Sequence, residues 1–465
     1  MLRALAASTA LLNDPDTYLH IAAGRWMLAH GALPSPDPFS FTMAGAPWHP
    51  SEWLGEIALA VIYDVGGWGP VIAAAAACFG AAIGLLCWFL ARRVDPLPAA
   101  LGALAGAVLV LPHLLARPHV FALPVMVLWC GGVFAACDER RRPPWALLWA
   151  MLVWANLHGS FLFGIALAAY LGGEAVSAAR GWQERLVIAR DWAAFVLAAA
   201  AVSLINPNGV TALIQPFRLM AMPALQSGFG EWLPADLAQF PALAGWLLGA
   251  AALVVAGWRS LPWTRLLLLF GLAYMALMHV RHADLLGLVG PLAIAAPLAP
   301  RLGGWLRPAA TAPLLRGAAA LAPPARITGV LAAIALGIAA SILVLLRPID
   351  RSHDAVTPQA ALAAARDLHL AGPVFNSEAF GGYLVFSGVP PFIDGRVELY
   401  GNDFLAAYLA AERGDAAVLL SLLDRYRIAW SLVQAQAPVA AALERLPGWR
   451  RVYGDDRAVI YARRD

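Results

Sequence analysis

Near its start the chain carries two carboxylates and a histidine within seven positions, in Asn13-Asp14-Pro15-Asp16-Thr17-Tyr18-Leu19-His20. Paired aspartates of this kind support two kinds of chemistry. One can accept a proton from a hydroxyl while the other orients it, or the two can hold a divalent cation such as Mg or Mn through oxygen ligands. Asp14 and Asp16 are therefore candidates both for catalysis and for a metal site. Pro15 biases Asp14 away from helix and suits a loop leading into a helix near Thr17, so either aspartate also has a simpler role open to it, as helix N-cap. His20 stands four residues after Asp16 and is its candidate partner, or an interfacial histidine.

More polar groups stand at the ends of apolar runs. Arg117 with His119, Asn156 with His158, and Arg281 with His282 are three such pairs. Arginine can grip a phosphate with two parallel hydrogen bonds, and ionisable groups near membrane depth are functional candidates, although end residues also snorkel into water. Glu52 and Glu56 lie one turn apart in the amphipathic segment from Glu52 to Tyr63, which is expected to lie on the bilayer surface. Trp48, Trp53 and Trp68 are expected to anchor at the interface. Asn206-Pro207-Asn208-Gly209 is a turn by composition, and Glu231 in the segment after it can reach the same cavity as the aspartates.

These groups need elements to hold them, and the composition says which. With 61% hydrophobic and 13% charged residues over 465 positions, the chain is a polytopic membrane protein rather than a soluble domain. Apolar runs of span length recur near 69–91, 97–115, 118–136, 144–157, 159–177, 191–206, 240–258, 264–280, 284–299 and 327–346. Leu2 to Leu12 is too short for a span and has no signal-peptide cleavage site, so a clipped first span is expected there, giving about 10–11 in all. Arg92 and Arg93, Arg140 to Arg142, Arg180 to Arg190, Arg259 and Arg265, and Arg301 to Arg326 fall in alternate loops, which the positive-inside rule makes cytoplasmic. The first loop, 13–68, and the other candidate groups then face the exterior.

All 32 residues counted as Lys or Arg are arginine, which points to a GC-rich bacterial genome and an inner (cytoplasmic) membrane location. The net charge of +3 says little about nucleic acid, which is not an expected partner, and the four cysteines form neither a disulfide framework nor a zinc pattern.

The expected organisation is a mostly α chain: a transmembrane domain, 1–346, and a small exterior or periplasmic α/β domain, 347–465, joined through a linker near 301–326. In the second domain, strands are expected at Val374 to Asn376, Pro391 to Asp394, Ile428 to Val433, Arg451 to Tyr453 and Ala458 to Tyr461. Helices are expected at Thr357 to Leu370 and Asp403 to Tyr426. Its densest polar and glycine signature is Asn376, Gly381, Gly382, Tyr383, Asp394, Arg396 and Tyr400, which suits turn-forming and domain-docking residues or an acceptor site.

The runs DPDTYLHIAAGRWMLAHGALPSPDPFS, WANLHGSF, NPNG followed by EWLPAD, and FNSEAFGGYL with FIDGRVELYG resemble a group of bacterial membrane proteins related to the GT-C glycosyltransferase superfamily. The resemblance spans nearly the whole chain. It implies transfer of a hexosyl or pentosyl sugar from a polyprenyl-phosphate-linked donor in the membrane lipid to an exterior glycan, lipid or protein acceptor. Asp14 and Asp16 match the first-loop acidic motif, and the resemblance gives them a base or metal role. Arg117 and Arg281 are the cations for the carrier phosphate. Glu52, His20, His119, Asn156, His158, Glu231 and His282 complete the candidate substrate site. A lipid or glycan transporter or flippase is the competing reading, although no repeat relates two halves of the chain. A non-catalytic membrane assembly protein of the same fold is the other.

Overall fold

A computed structural model of the chain describes residues 10–305, 349–352 and 354–464. The expected span at 327–346, most of the linker 301–326 and residues 1–9 lie outside this set. Of the expected clipped span, Ala10–Leu12 forms a short 3-10 turn with Leu11 and Leu12 buried.

Two helices build the first loop, α1 (Asp16–His30) and α2 (Trp53–Gly66). They approach closely because Gly24 of α1 has no side chain; a Cβ there would meet the Glu56 carbonyl and stand 2.7 Å from the Ala60 Cβ of α2. The tryptophans expected as interfacial anchors are drawn into this assembly. Trp48 is buried, donates to Glu398 Oε1 at 3.2 Å and carries the Arg396 guanidinium over its ring at 4.5 Å. Trp53 Nε1 donates to Asn156 Oδ1 at 2.8 Å, and Trp68 meets Tyr18 edge-on at 5.0 Å.

The bundle follows as α3 (Trp68–Ala91), α4 (Pro96–Val110), α5 (His119–Asp138), α6 (Leu147–Leu157), α7 (Phe161–Ser177) and α8 (Trp182–Ser203), then α9 (Thr211–Met220), α10 (Pro223–Gly228), α11 (Pro241–Gly257), α12 (Trp263–Met278) and α13 (Ala283–Trp305). Among the described residues, five helices are long and apolar enough to cross a membrane: Trp68–Ala91, Pro96–His113, His119–Asp138, Trp182–Ser203 and Val280–Arg301. α6, α7, α11 and α12 are shorter apolar helices.

The helices sit where the apolar runs predict, except that α8 begins at Trp182 rather than near 191. Its first turns, Gln-Glu-Arg-Leu-Val-Ile-Ala-Arg, form helix readily but are too polar to register as a span. α9 and α10 add short helices to a segment expected only as a loop after the Asn206 turn.

Arg265, expected to mark a cytoplasmic loop, is instead 1% exposed between helices. Its Nε donates to Glu174 Oε1 at 2.8 Å, its Nη2 to Asp138 Oδ1 at 2.9 Å and its Nη1 to the Ala293 carbonyl at 3.2 Å. Thr264 Oγ1 donates to Glu174 Oε2 at 2.7 Å. Buried charge is tolerated when paired and hydrogen-bonded in this way.

The second unit holds α14 (Gln359–Asp367), β1 (Val374–Asn376), α15 (Glu378–Phe386), α16 (Val397–Glu412), α17 (Ala416–Arg425), β2 (Trp430–Gln434), α18 (Pro438–Arg445), β3 (Trp449–Gly454) and β4 (Ala458–Arg463). The strand order is β1-β2-β4-β3, parallel between β1 and β2 and antiparallel elsewhere. The mostly α bundle with a small α/β domain is thus as expected.

Pro391 to Asp394 forms no strand. Pro390 and Pro391 lack N–H groups, and the Asn376 side chain takes the place of a ladder, accepting from Phe392 N at 2.8 Å and donating to the Ile393 carbonyl at 2.9 Å. The single helix expected over 403–426 is two, split at Gly414 (φ +90°), after which Asp415 caps α17 by accepting from Ala417 N and Val418 N. Thr357 stays outside α14, with its hydroxyl 2.9 Å from that of Tyr18.

Two arginines fasten this domain to the first loop. Arg396, 4% exposed, pairs with Asp394 and with Asp37 of the loop, each at 2.6 Å, and Tyr400 OH donates to Asp394 at 2.9 Å. Arg351 donates to the Leu12 carbonyl, pairs with Asp354 at 2.6 Å and lies over the rings of Tyr18 and Trp68 at 4.2 and 4.4 Å.

Candidate functional site

Asp14 lies against both the start of α1, where Pro15 is the N-cap residue, and Arg117. Its Oδ1 accepts from Asp16 N at 2.7 Å at the start of α1, while its Oδ2 is ion-paired with Arg117 Nε. Arg117 reaches it because Ala116 N donates to the Leu11 carbonyl at 2.8 Å, and because Gly55 of α2 leaves room for Pro118. Asp16 Oδ2 is 3.4 Å from Arg117 Nη2, and Asp16 Oδ1 is buried with no hydrogen-bond partner among the described residues.

From this pair one line of charge runs through Arg117. Its Nη1 is 3.7 Å from Glu231 Oε2, and Glu231 Oε1 is 3.0 Å from Arg281 Nη1. A single carboxylate therefore bridges the two arginines expected to hold phosphate. Arg281 also lies over the Trp232 ring at 4.4 Å, which fixes the plane of its guanidinium.

A second line runs through the histidines. His20 Nδ1 is 3.0 Å from Glu56 Oε1, and its Nε2 is 3.9 Å from Glu52 Oε2. Glu52 Oε1 in turn is 3.4 Å from His158 Nε2, and the His158 ring lies 6.2 Å from that of His119. Ser160 N donates to His158 Nδ1 at 3.2 Å, which puts the ring proton on Nε2, facing Glu52.

Two expected members contribute differently. Asn156 is 6% exposed and fully occupied, taking the Trp53 donor while its Nδ2 donates to the carbonyls of Leu152 and Ile205, so it pins helices together. His282 turns its Nδ1 to the Met275 carbonyl at 3.3 Å, although its neighbour Arg281 belongs to the network.

The C-terminal α/β domain adds a group that the sequence did not single out. Glu378, at the start of α15, interacts electrostatically with Asp16, Asp14 and Arg117. Two glycines allow the approach: a Cβ on Gly382, one turn along α15, would strike the Pro15 carbonyl, and one on Gly395 would overlap the Asp16 carboxylate. The dense glycine run was the available signal. Its partners, more than 350 residues away in sequence, were not visible.

Burial raises the Asp16 pKa, reinforced by Asp14 and opposed by Arg117. Burial likewise raises Glu378, with Asp16 and Asp14 adding to it. Burial acts against the His20 cation, yet Glu56, Glu52 and Asp16 outweigh it and lift the pKa to about 9. Glu52 is pushed up to about 7 by burial, with Glu56 adding and His20 opposing. His158 falls to about 3 through burial and the nearby Arg281. Glu231 is held below its usual range because Arg281 and Arg117 overcome its burial.

Both Asp14 oxygens are already engaged, and among the described residues no three acidic, histidine or cysteine side chains converge as metal ligands.

No protein-family model and no curated protein sequence matches the chain. Among solved structures, ArnT from Cupriavidus metallidurans in the apo state aligns over 99% of this chain and 96% of its own, with TM-score 0.52 and 17% identity. The chain has a GT-C-like fold. The Archaeoglobus fulgidus oligosaccharyltransferase, also in its apo form, aligns over 93% of this chain and 69% of its own, with TM-score 0.52 and 12% identity. In this chain of GT-C-like fold the network of Asp14, Asp16, Arg117, Glu231 and Arg281 joins the first loop and the bundle ends beside the edge of the C-terminal α/β domain.

Proposed function

We propose that the chain is an integral-membrane glycosyltransferase that moves a sugar from a polyprenyl-phosphate donor to a hydroxyl acceptor on the side of its soluble domain. The observation that carries the reading is the buried Asp16 oxygen, without a hydrogen-bond partner among the described residues, on a carboxylate beside Arg117, which shares the Glu231 carboxylate with Arg281. The GT-C-like fold and the names of the two similar structures support the reaction class.

In this reading Asp16 Oδ1 takes the acceptor's proton as the acceptor oxygen attacks the anomeric carbon. The bond from that carbon to the phosphate oxygen breaks, and the phosphate leaves with the electron pair, still attached to its lipid. Arg117 and Arg281 neutralise it, the phosphate taking the place that Glu231 fills in the free protein. Asp14 holds Arg117 in position, and Glu378, whose pKa burial raises, stands within electrostatic reach of Asp16. The carrier tail runs in membrane lipid and the acceptor is a glycan, lipid or protein. The chain lies in a bacterial inner membrane with residues 347–465 in the periplasm.

The test is transfer by purified protein from a panel of polyprenyl-phosphate hexoses and pentoses, with the covalent product followed by mass spectrometry. Asp16→Asn is expected to reduce kcat by roughly 10²–10⁴-fold, and Glu231→Gln to lower the donor KM. EDTA is expected to leave turnover intact, since no step uses a metal. Movement of the lipid-linked sugar across the bilayer with no covalent product would instead establish a transporter. Full activity in Asp14→Asn, Asp16→Asn and the double variant would remove the aspartates from the mechanism.

A further inference from the structure

At the opposite end of α5 from the candidate site, the structure contains a cavity of about 200 Å³. The 20 residues of α5 separate the two ends by about 30 Å, so this cavity belongs to the other face of the bundle. Three consecutive arginines, Arg140, Arg141 and Arg142, form one wall, and Ala175 and Ala179 at the end of α7 form another. The third wall is one face of α8, where Glu184, Val187, Ile188 and Asp191 recur at helical spacing.

The charges in this cavity are not balanced. Glu184 already accepts from Arg180 N at 2.9 Å, and Asp191 is paired with Arg190 at 2.8 Å. Arg141 is paired with Glu139 at 2.6 Å. Arg140 and Arg142 have no carboxylate partner among the described residues. Arg140 also occupies the left-handed position just past the end of α5 (φ +51°), a place that favours glycine.

Val187 of the cavity lining is more than 40% exposed, as are Trp145, Trp182 and Leu186, within three residues of lining residues in the chain. Cationic groups next to exposed aromatic and aliphatic side chains at the end of a bundle match a ligand with an anionic head and an apolar tail.

We propose that this cavity binds the phosphate headgroup of an anionic phospholipid, with Arg140 and Arg142 as its principal ligands. Arginine suits a phosphodiester because its planar fork meets two oxygens at once. Val187 and the exposed tryptophans accommodate the acyl chains. The site is independent of the transfer reaction, so it stands or falls separately from the proposed function.

The test uses the full-length, delipidated protein in detergent, with phosphatidylglycerol, phosphatidylcholine or inorganic phosphate added. Native mass spectrometry reads retained lipid, and thermal unfolding reads stabilisation. Phosphatidylglycerol is expected to be retained and to raise the midpoint, whereas phosphatidylcholine does neither. The Arg140→Gln/Arg142→Gln double variant is expected to lose roughly tenfold in phosphatidylglycerol affinity, whereas Arg259→Gln, which removes an arginine that stacks on Trp258, retains it. Equal binding of both lipids by the unaltered protein would overturn the proposal even if the double variant fails to fold. So would undiminished phosphatidylglycerol binding by the double variant. Stabilisation by inorganic phosphate equal to that by the lipid would assign the cavity to a free anion and overturn the lipid reading.

Discussion

Asp16 and His20 stand one turn apart on α1 and carry opposite consequences for pH. Because burial raises Asp16, its basic form appears only above the ordinary aspartate range, and the acid limb of the kcat profile is expected to be shifted upward accordingly. Glu378→Gln removes a carboxyl that interacts with Asp16 and is itself raised by burial, so the acid limb of that variant is expected to move to lower pH. His20 gains its carboxylate partners on folding, and its pKa rises from 6.5 to about 9. The stabilisation this provides is fully present below the unfolded value and is lost as pH rises through about 9. Unfolding midpoints measured between pH 6 and 10 are therefore expected to fall more steeply for the unaltered protein than for His20→Gln. A parallel fall in both would dissociate His20 from Glu56 and Glu52.

At the scale of elements, the site depends on how closely α1, α2 and α15 approach. Gly395→Ala places a methyl group into the Asp16 carboxylate, and overpacking of this kind costs about 1–3 kcal/mol. The expected outcome is a lower unfolding midpoint together with a loss of turnover larger than the stability change explains. Gly230→Ala, where a Cβ meets nothing within 4 Å, is the control and should leave both unchanged. The spans were legible in the sequence because apolar length alone signals them, and the Asp14-Asp16 loop because its residue types are unusual beside them. The start of α8 was not, since its polar first turns carry helix propensity without span hydrophobicity. The expected strand at Pro391 failed because a short apolar run says nothing of donors, and here Asn376 supplies the bonds from its side chain. Glu378 and the bridge made by Glu231 were illegible as partners for a different reason: both arise from contacts between segments far apart in the chain, which local pattern cannot express.

For the molecule as a whole, the C-terminal α/β domain is a wall of the site and not an appendage. Arg396 joins Asp394 in that domain to Asp37 in the first loop, with all three side chains buried. Arg396→Gln would leave two buried carboxylates without their cation, a change that costs about 3–5 kcal/mol. It is expected to lower the unfolding midpoint and to make the domain junction accessible to protease before the bundle unfolds; a single unaltered transition would show that the junction does not depend on this pair. The Arg265 cluster has its own consequence, for the order of assembly. Arg265 stands in the first turn of α12, and both of its carboxylate partners, Asp138 and Glu174, lie on helices that precede α12 in the chain. During synthesis, α12 therefore meets its counter-ions already emerged and waiting, and it enters the bilayer as the completing member of a cluster instead of as a lone charged helix.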